Sequence, residues 1–160
     1  MKVFTFEFID GNLKVLKENI SYNPGLAQNI VVVEHPLWEK DNEVFYYVDK
    51  GPASTVSTVA AGNGDKVVKS KTIDALVKEK QLQKVDFIKL DIEGAEPYAL
   101  KGAAETIRKF KPKLAIAIYH SISDFVTIPE YIRSLCPEYK LYLGHYTIYD
   151  EETLIYATIH

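Results

Sequence analysis

The sequence predicts an α/β fold: a mostly parallel sheet covered by helices and finished by an antiparallel hairpin at its C-terminal edge. Three observations predict it. Short apolar runs such as "IVVVE" (30–34), "VDFIKL" (85–90) and "KLAIAIY" (113–119) have the composition of strands buried on both faces. Segments with helical spacing alternate with them. The last two strand-like segments are joined only by "TIYDEE", too short for a crossover, so they must run antiparallel.

Each element has its own signal. "VFTFEFI" (3–9) is strand-like, and Asp10 is a candidate cap for a helix whose inward face is Leu13, Leu16 and Ile20. "NPG" (23–25) ends that helix, and "NEVFYYV" (42–48) reads as a further strand, an arm of a hairpin. The stretch 51–64, rich in Gly, Ser, Thr and Ala, reads as loop, with "GNGD" (62–65) as a turn. Thr72 caps a helix with Ile73, Leu76 and Val77 inward. A helix over 96–110 sets Ala95, Ala99, Ala103, Ile107 and Phe110 on one side, and Pro97 fits its first turn. A helix over 128–136 turns Ile128, Ile132 and Leu135 inward, and "YKLYLGHY" (139–146) pairs with "TLIYATI" (153–159).

Composition narrows the function. The length suits about one domain. The 19 basic and 22 acidic side chains nearly balance, so neither nucleic acid nor a membrane is expected as a partner. Cys136 is the only cysteine, so no internal disulfide can form, no Cys/His cluster has zinc-ligand spacing, and an intracellular, cytoplasmic setting fits. No apolar stretch approaches the roughly 18–20 residues of a membrane span. The start, "MKVFTFEFID", contains Glu7 and no small-residue cleavage site, so it reads as strand and not as a signal peptide.

The chemistry concentrates in "VDFIKLDIEGAEPYALKGA" (85–103). Asp91 and Glu93 stand at the carboxyl end of a buried strand, where open parallel sheets bind ligands. In an extended segment side chains at i and i+2 point the same way, so both carboxylates could face one pocket. Alternatively, one of them caps the helix that follows. Glu7, near the end of the first strand, could accept two hydrogen bonds from a ribose diol or simply face water. His120 closes the 113–119 strand on the ligand side, either as a general base or as a structural histidine bonded to a backbone carbonyl. His145 carries the same alternatives, and His160 is expected to be disordered. Asp91, Glu93 and His120 would suit a hard cation, but nothing else in the sequence supports a metal and none is assigned. Lys101, Arg108, Lys109, Lys111 and Lys113 are spread by helical spacing around a solvated face. "FYY" (45–47) either lines an acceptor pocket or packs.

The segment "TIDALVKEKQLQKVDFIKLDIEGAEPYALKGAAETIRKFKPKLAIAIYH" closely resembles the core of the FkbM-type methyltransferases, which use S-adenosylmethionine (SAM). The likeness extends to "VFTFEFIDGNLKVLKENISYNP" and "LGHYTIYDEETLIYA". The resemblance implies a Rossmann-like class I methyltransferase sheet and methyl transfer from SAM to an oxygen of a small molecule or sugar. It implies that Glu7, with Phe8 beside it, binds the ribose, although Ile9 and Asp10 stand where a Pro usually follows. It places His35, Pro36 and Leu37 at the adenine. It places Asp91 and Glu93 beside the reacting methyl, with Asp91 also touching the cofactor. His120 matches the family's "YH" and His145 a "HY"; Asp91 or His120 would be the base.

The resemblance departs at the front. Class I methyltransferases open with a strand, a glycine-rich loop and a helix, whereas Met1 stands almost on the second strand. The expectation is a single truncated domain over 1–160 with the first strand–loop–helix unit missing. Its methionine-end contacts would be gone, so SAM binding is expected to be weak or lost. The exposed sheet edges would then be closed by direct pairing of 3–9 with 85–90, or by a homo-oligomer. A non-catalytic remnant or interaction module that binds no SAM is the alternative. A nicotinamide-dependent dehydrogenase would also need the glycine loop and lacks the rest of its signature.

Overall fold

The computed structural model describes residues 1–48, 55–59, 66–149 and 151–159. The chain divides into two compact units, Met1–Lys71 and Thr72–His160.

In the first unit, β1 (Val3–Phe6) runs parallel to β2 (Ile30–Val33), with Phe4 opposite Val31 and Phe6 opposite Val33. Between them lie α1 (Asp10–Ser21), which buries Leu13, and the short α2 (Pro24–Ala27). Pro24 starts α2 at a helical position where a missing N–H costs nothing. Ile9, not Asp10, is the residue at the cap of α1, and it offers no side-chain bond. The Asp10 carboxylate instead pairs with Lys66. A second, antiparallel sheet has the order β4-β3-β5, from β3 (Val44–Val48), β4 (Thr55–Ser57) and β5 (Lys66–Lys69). β4 lies within the stretch expected to be loop, and "GNGD" lies outside the described residues. β5 escaped the sequence pattern because "KVVK" does not alternate, and its Val67 is 60% exposed. Phe45 and Tyr47 are buried, edge-on to Trp38 and Phe8 respectively, so these two rings of "FYY" pack.

In the second unit, α3 (Ile73–Glu79) begins as expected, with Thr72 Oγ1 accepting the Ala75 amide at 3.0 Å. β6 (Phe87–Leu90) and β7 (Lys113–Ala117) run parallel. β8 (Lys140–His145) and β9 (Thr153–Thr158) form the expected hairpin, folded back so that β9 lies between β7 and β8. The sheet order is β6-β7-β9-β8, and Leu90, Leu114, Ile116 and Ile118 on this sheet are fully buried with Leu100, Ile107, Ile128 and Ile132 from its helices.

Three expectations need correction. Among the described residues two ladders are parallel and four antiparallel, so "mostly parallel" does not describe the pairing. The single helix over 96–110 is two, α4 (Glu96–Lys101) and α5 (Ala104–Phe110). Asp74 explains the break. Its backbone amide donates to Gly102 O at 2.9 Å, and its carboxylate accepts the amides of Glu105 and Thr106 and the Thr106 hydroxyl at 3.0, 2.7 and 2.6 Å. α5 is thus capped by a side chain from α3, which local periodicity cannot reveal. Finally, α6 (Asp124–Leu135) starts four residues earlier than expected and carries Pro129 in its interior.

Candidate functional site

The site grows from the end of β6. Leu90 is its last residue, and the chain then turns sharply: Glu93 has φ 57° and Gly94 has φ 90°. Glycine takes such angles without strain, whereas glutamate does not. The turn defeats the alternation argument, because the segment carrying Asp91 and Glu93 is not extended. Asp91 keeps 22% of its side chain exposed, while Glu93 projects into solvent with 93% exposed. Neither caps α4, whose cap residue is Ala95 with no side-chain bond.

The turn brings a third acid home. Glu96, the first residue of α4, is fully buried, and its Oε1 accepts the Ile92 amide at 2.7 Å. Its Oε2 has no hydrogen-bond partner. Past the end of β7, His120 lies against the same turn. Its Nδ1 stands 3.3 Å from Glu96 Oε1 and its Nε2 stands 3.5 Å from Glu93 Oε2. Neither ring nitrogen makes a hydrogen bond, so the carbonyl-bonded structural histidine is not what this fold builds. The Tyr119 ring lies 4.1 Å from that of His120, and the Tyr119 hydroxyl donates to Asp91 Oδ1 at 3.0 Å. Lys89 reaches Asp91 Oδ2 at 3.1 Å. Burial and the Asp91 carboxylate raise the Tyr119 phenol well above its ordinary pKa, so the hydroxyl remains a donor. Buried Asp124, at the start of α6, has its carboxyl pKa raised by desolvation, against the opposing pull of His120 and a backbone hydrogen bond involving Ser121.

Of the residues offered by the sequence, Asp91, Glu93 and His120 lie together at this turn, and Glu96, Tyr119 and Asp124, which the sequence did not suggest, join them. For Glu96 a signal existed: it is the last acid of "DIEGAEP" and directly precedes Pro97, which marks a first helical turn.

The cofactor candidates of the first unit make their contacts within that unit as follows. Glu7 Oε1 accepts the amides of Phe8 and Ile9 at 2.7 and 2.8 Å, and its Oε2 accepts Asn12 Nδ2 at 3.1 Å. It thereby ties down the two residues that lead into α1. Phe8 packs edge-on against Tyr47, 5.5 Å between centroids. His35, Pro36 and Leu37 are tied to the end of β5. His35 Nδ1 donates to Lys69 O at 2.7 Å, the Lys71 amide donates to Pro36 O at 2.9 Å, and Leu37 bridges Lys71. His145 Nδ1 bonds to Thr153 Oγ1 at 2.8 Å across the hairpin, a structural role, and His160 lies outside the described residues. No described helix is long and apolar enough to cross a membrane.

Comparison with known proteins gives the family. The Methyltransferase FkbM domain family matches residues 2–142. The crystal structure of methyltransferase FkbM from Methylobacillus flagellatus KT shares 28% sequence identity at a TM-score of 0.76. The match covers 98% of this chain and 36% of that one, so this chain spans about a third of that protein's length. A search of curated proteins finds no match. The family model matches most of the chain, so the chain belongs to the FkbM methyltransferase domain family.

Proposed function

We propose that the protein is a SAM-dependent methyltransferase acting on an oxygen of a small molecule or sugar. The observation that carries this is the cluster at the end of β6: Asp91 held by Tyr119 and Lys89, with His120 beside it and neither of its ring nitrogens hydrogen-bonded. SAM supplies an electrophilic methyl group. The protein's task is to hold the acceptor oxygen in line and remove its proton. His120 is the base in this reading, since neutral imidazole accepts a proton near neutral pH. Asp91 orients the acceptor hydroxyl by accepting its hydrogen bond. Ile122, Phe125 and Val126, exposed just beyond His120, offer apolar surface to the body of the acceptor. Glu7 is the proposed ribose contact, with His35, Pro36 and Leu37 at the adenine.

One observation favours a second reading, a module that keeps the fold without the cofactor. Both oxygens of Glu7 already accept hydrogen bonds from their own segment, three in all. A carboxylate pair has about four lone-pair sites, which leaves little for a diol. Calorimetry on the full-length protein with SAM, and with NAD as control, separates the two. The enzyme reading expects saturable SAM binding, at least about tenfold weaker in Glu7→Gln, and none of NAD; a full-length protein that does not bind SAM would leave the module reading standing.

A further inference from the structure

We infer that Asp91, Glu96 and His120 form a binding site for a divalent first-row metal cation. One donor atom from each lies within 4.8 Å of the other two. The inference does not rest on the methyl-transfer reading; with a cation bound, His120 and Asp91 are its ligands, and an acceptor hydroxyl would be held and acidified at the open metal position instead of by His120.

The independent observation is Glu96. Its side chain is fully buried, yet Oε2 has no partner. A carboxylate withdrawn from water needs donors or an opposite charge to offset the lost hydration. Both nitrogens of His120, only 12% exposed, also lack hydrogen bonds. His120 and Glu96, each with lone pairs that no hydrogen bond uses, therefore stand together, Nδ1 lying 3.3 Å from the Glu96 Oε1 that the Ile92 amide holds, next to a third acceptor, Asp91. A cation placed among them satisfies all three at once.

The outer contacts fit a metal centre. Ligating carboxylates are ordinarily fixed by further hydrogen bonds, and a ligating histidine turns its other nitrogen to a carboxylate. Tyr119 holds Asp91 Oδ1, and the Ile92 amide holds Glu96 Oε1. His120 directs Nδ1 at Glu96 and Nε2 towards Glu93. Glu93, which the sequence offered as a ligand, thus becomes the residue that orients the histidine, and Glu96 takes its place. Lys89, the cation now at Asp91 Oδ2, has an exposed side chain and can swing into solvent.

Size and chemistry select the ion. Ligands about 2.1 Å from a tetrahedral metal stand roughly 3.4 Å apart, so the donors, now within 4.8 Å of one another, must close by up to about 1.4 Å, which side-chain rotations reach. Calcium and magnesium prefer oxygen alone, and copper(I) prefers sulfur. Two carboxylates with one imidazole suit Mn²⁺, Fe²⁺ or Zn²⁺. Three protein donors leave at least one position open for an oxygen ligand.

The test is Mn²⁺ binding to chelator-treated full-length protein, read by the loss of the free-ion electron paramagnetic resonance signal, with Zn²⁺ as competitor. One equivalent of Mn²⁺ should bind saturably and be displaced by Zn²⁺. His120→Asn and Glu96→Gln should each weaken binding at least about tenfold, and Glu93→Gln less than either. Should Glu96→Gln fail to fold, His120→Asn and Asp91→Asn carry the same expectation. Absence of saturable binding to the wild type, or unchanged affinity in the ligand variants that fold, overturns the site.

Discussion

The Tyr119 hydroxyl donates to Asp91 Oδ1 across 3.0 Å, joining the chain just past β7 to the residue after β6. This bond fixes the direction of a carboxylate that Lys89 alone would leave loose. Tyr119→Phe should therefore lower folding stability by about 1–2 kcal/mol, the range for a hydrogen bond to a charged group that keeps a second partner. Urea unfolding measures it; a variant as stable as the wild type would show that the bond does not form in solution.

The left-handed turn makes a prediction that separates two small substitutions. Glu93 sits at φ 57°. Glu93→Gly removes the steric cost of that angle, whereas Glu93→Ala retains it. The glycine variant should be about 1 kcal/mol more stable than the alanine variant. Equal melting temperatures for the two would mean that the turn has relaxed.

Asp124 gives a pH dependence. Burial raises its carboxyl pKa above the ordinary 3.8, so the folded protein holds that proton more tightly than the unfolded chain. Below 3.8 both states are protonated and the contribution is fully present. It is lost as pH rises from there through the folded value, because only the unfolded chain then ionises freely. Asp124→Asn removes this term. Its stability relative to the wild type should rise between pH 3.5 and neutrality by roughly the folded-state shift. A difference that stays flat with pH, or falls, would contradict the buried carboxyl.

The break between α4 and α5 rests on Asp74. Asp74→Ala removes three accepted hydrogen bonds and should cost about 2 kcal/mol. Amide hydrogen exchange at Glu105 and Thr106 should accelerate more than at the centre of α3. Unchanged exchange at both would show that α5 does not need the cap.

Much of this was readable in the sequence where local pattern and burial agree. The 85–90 and 113–119 runs became β6 and β7, the Thr72 cap formed, and the "TIYDEE" link made the C-terminal pair antiparallel. What was not readable depended on distant partners. Asp74 divides a helix from another helix, β4 and β5 gain their strand character only by pairing with β3, and Glu96 joins the site only because Glu93 and Gly94 turn the chain. The period-2 argument for Asp91 and Glu93 assumed an extended backbone, and two consecutive positive φ angles removed its premise.

The most direct measurement is methyl transfer itself. Full-length protein is incubated with methyl-labelled SAM and a deproteinised small-molecule extract, and label is followed into the extract. Wild type should label at least one small molecule. Asp91→Asn, which keeps the shape of the side chain, should lose at least about a hundredfold in rate, some 2.7 kcal/mol of transition-state stabilisation, while melting within a few degrees of wild type. No label from wild-type protein that is folded and binds SAM, or equal transfer by Asp91→Asn, would contradict the assignment of this cluster as the methyl-transfer site.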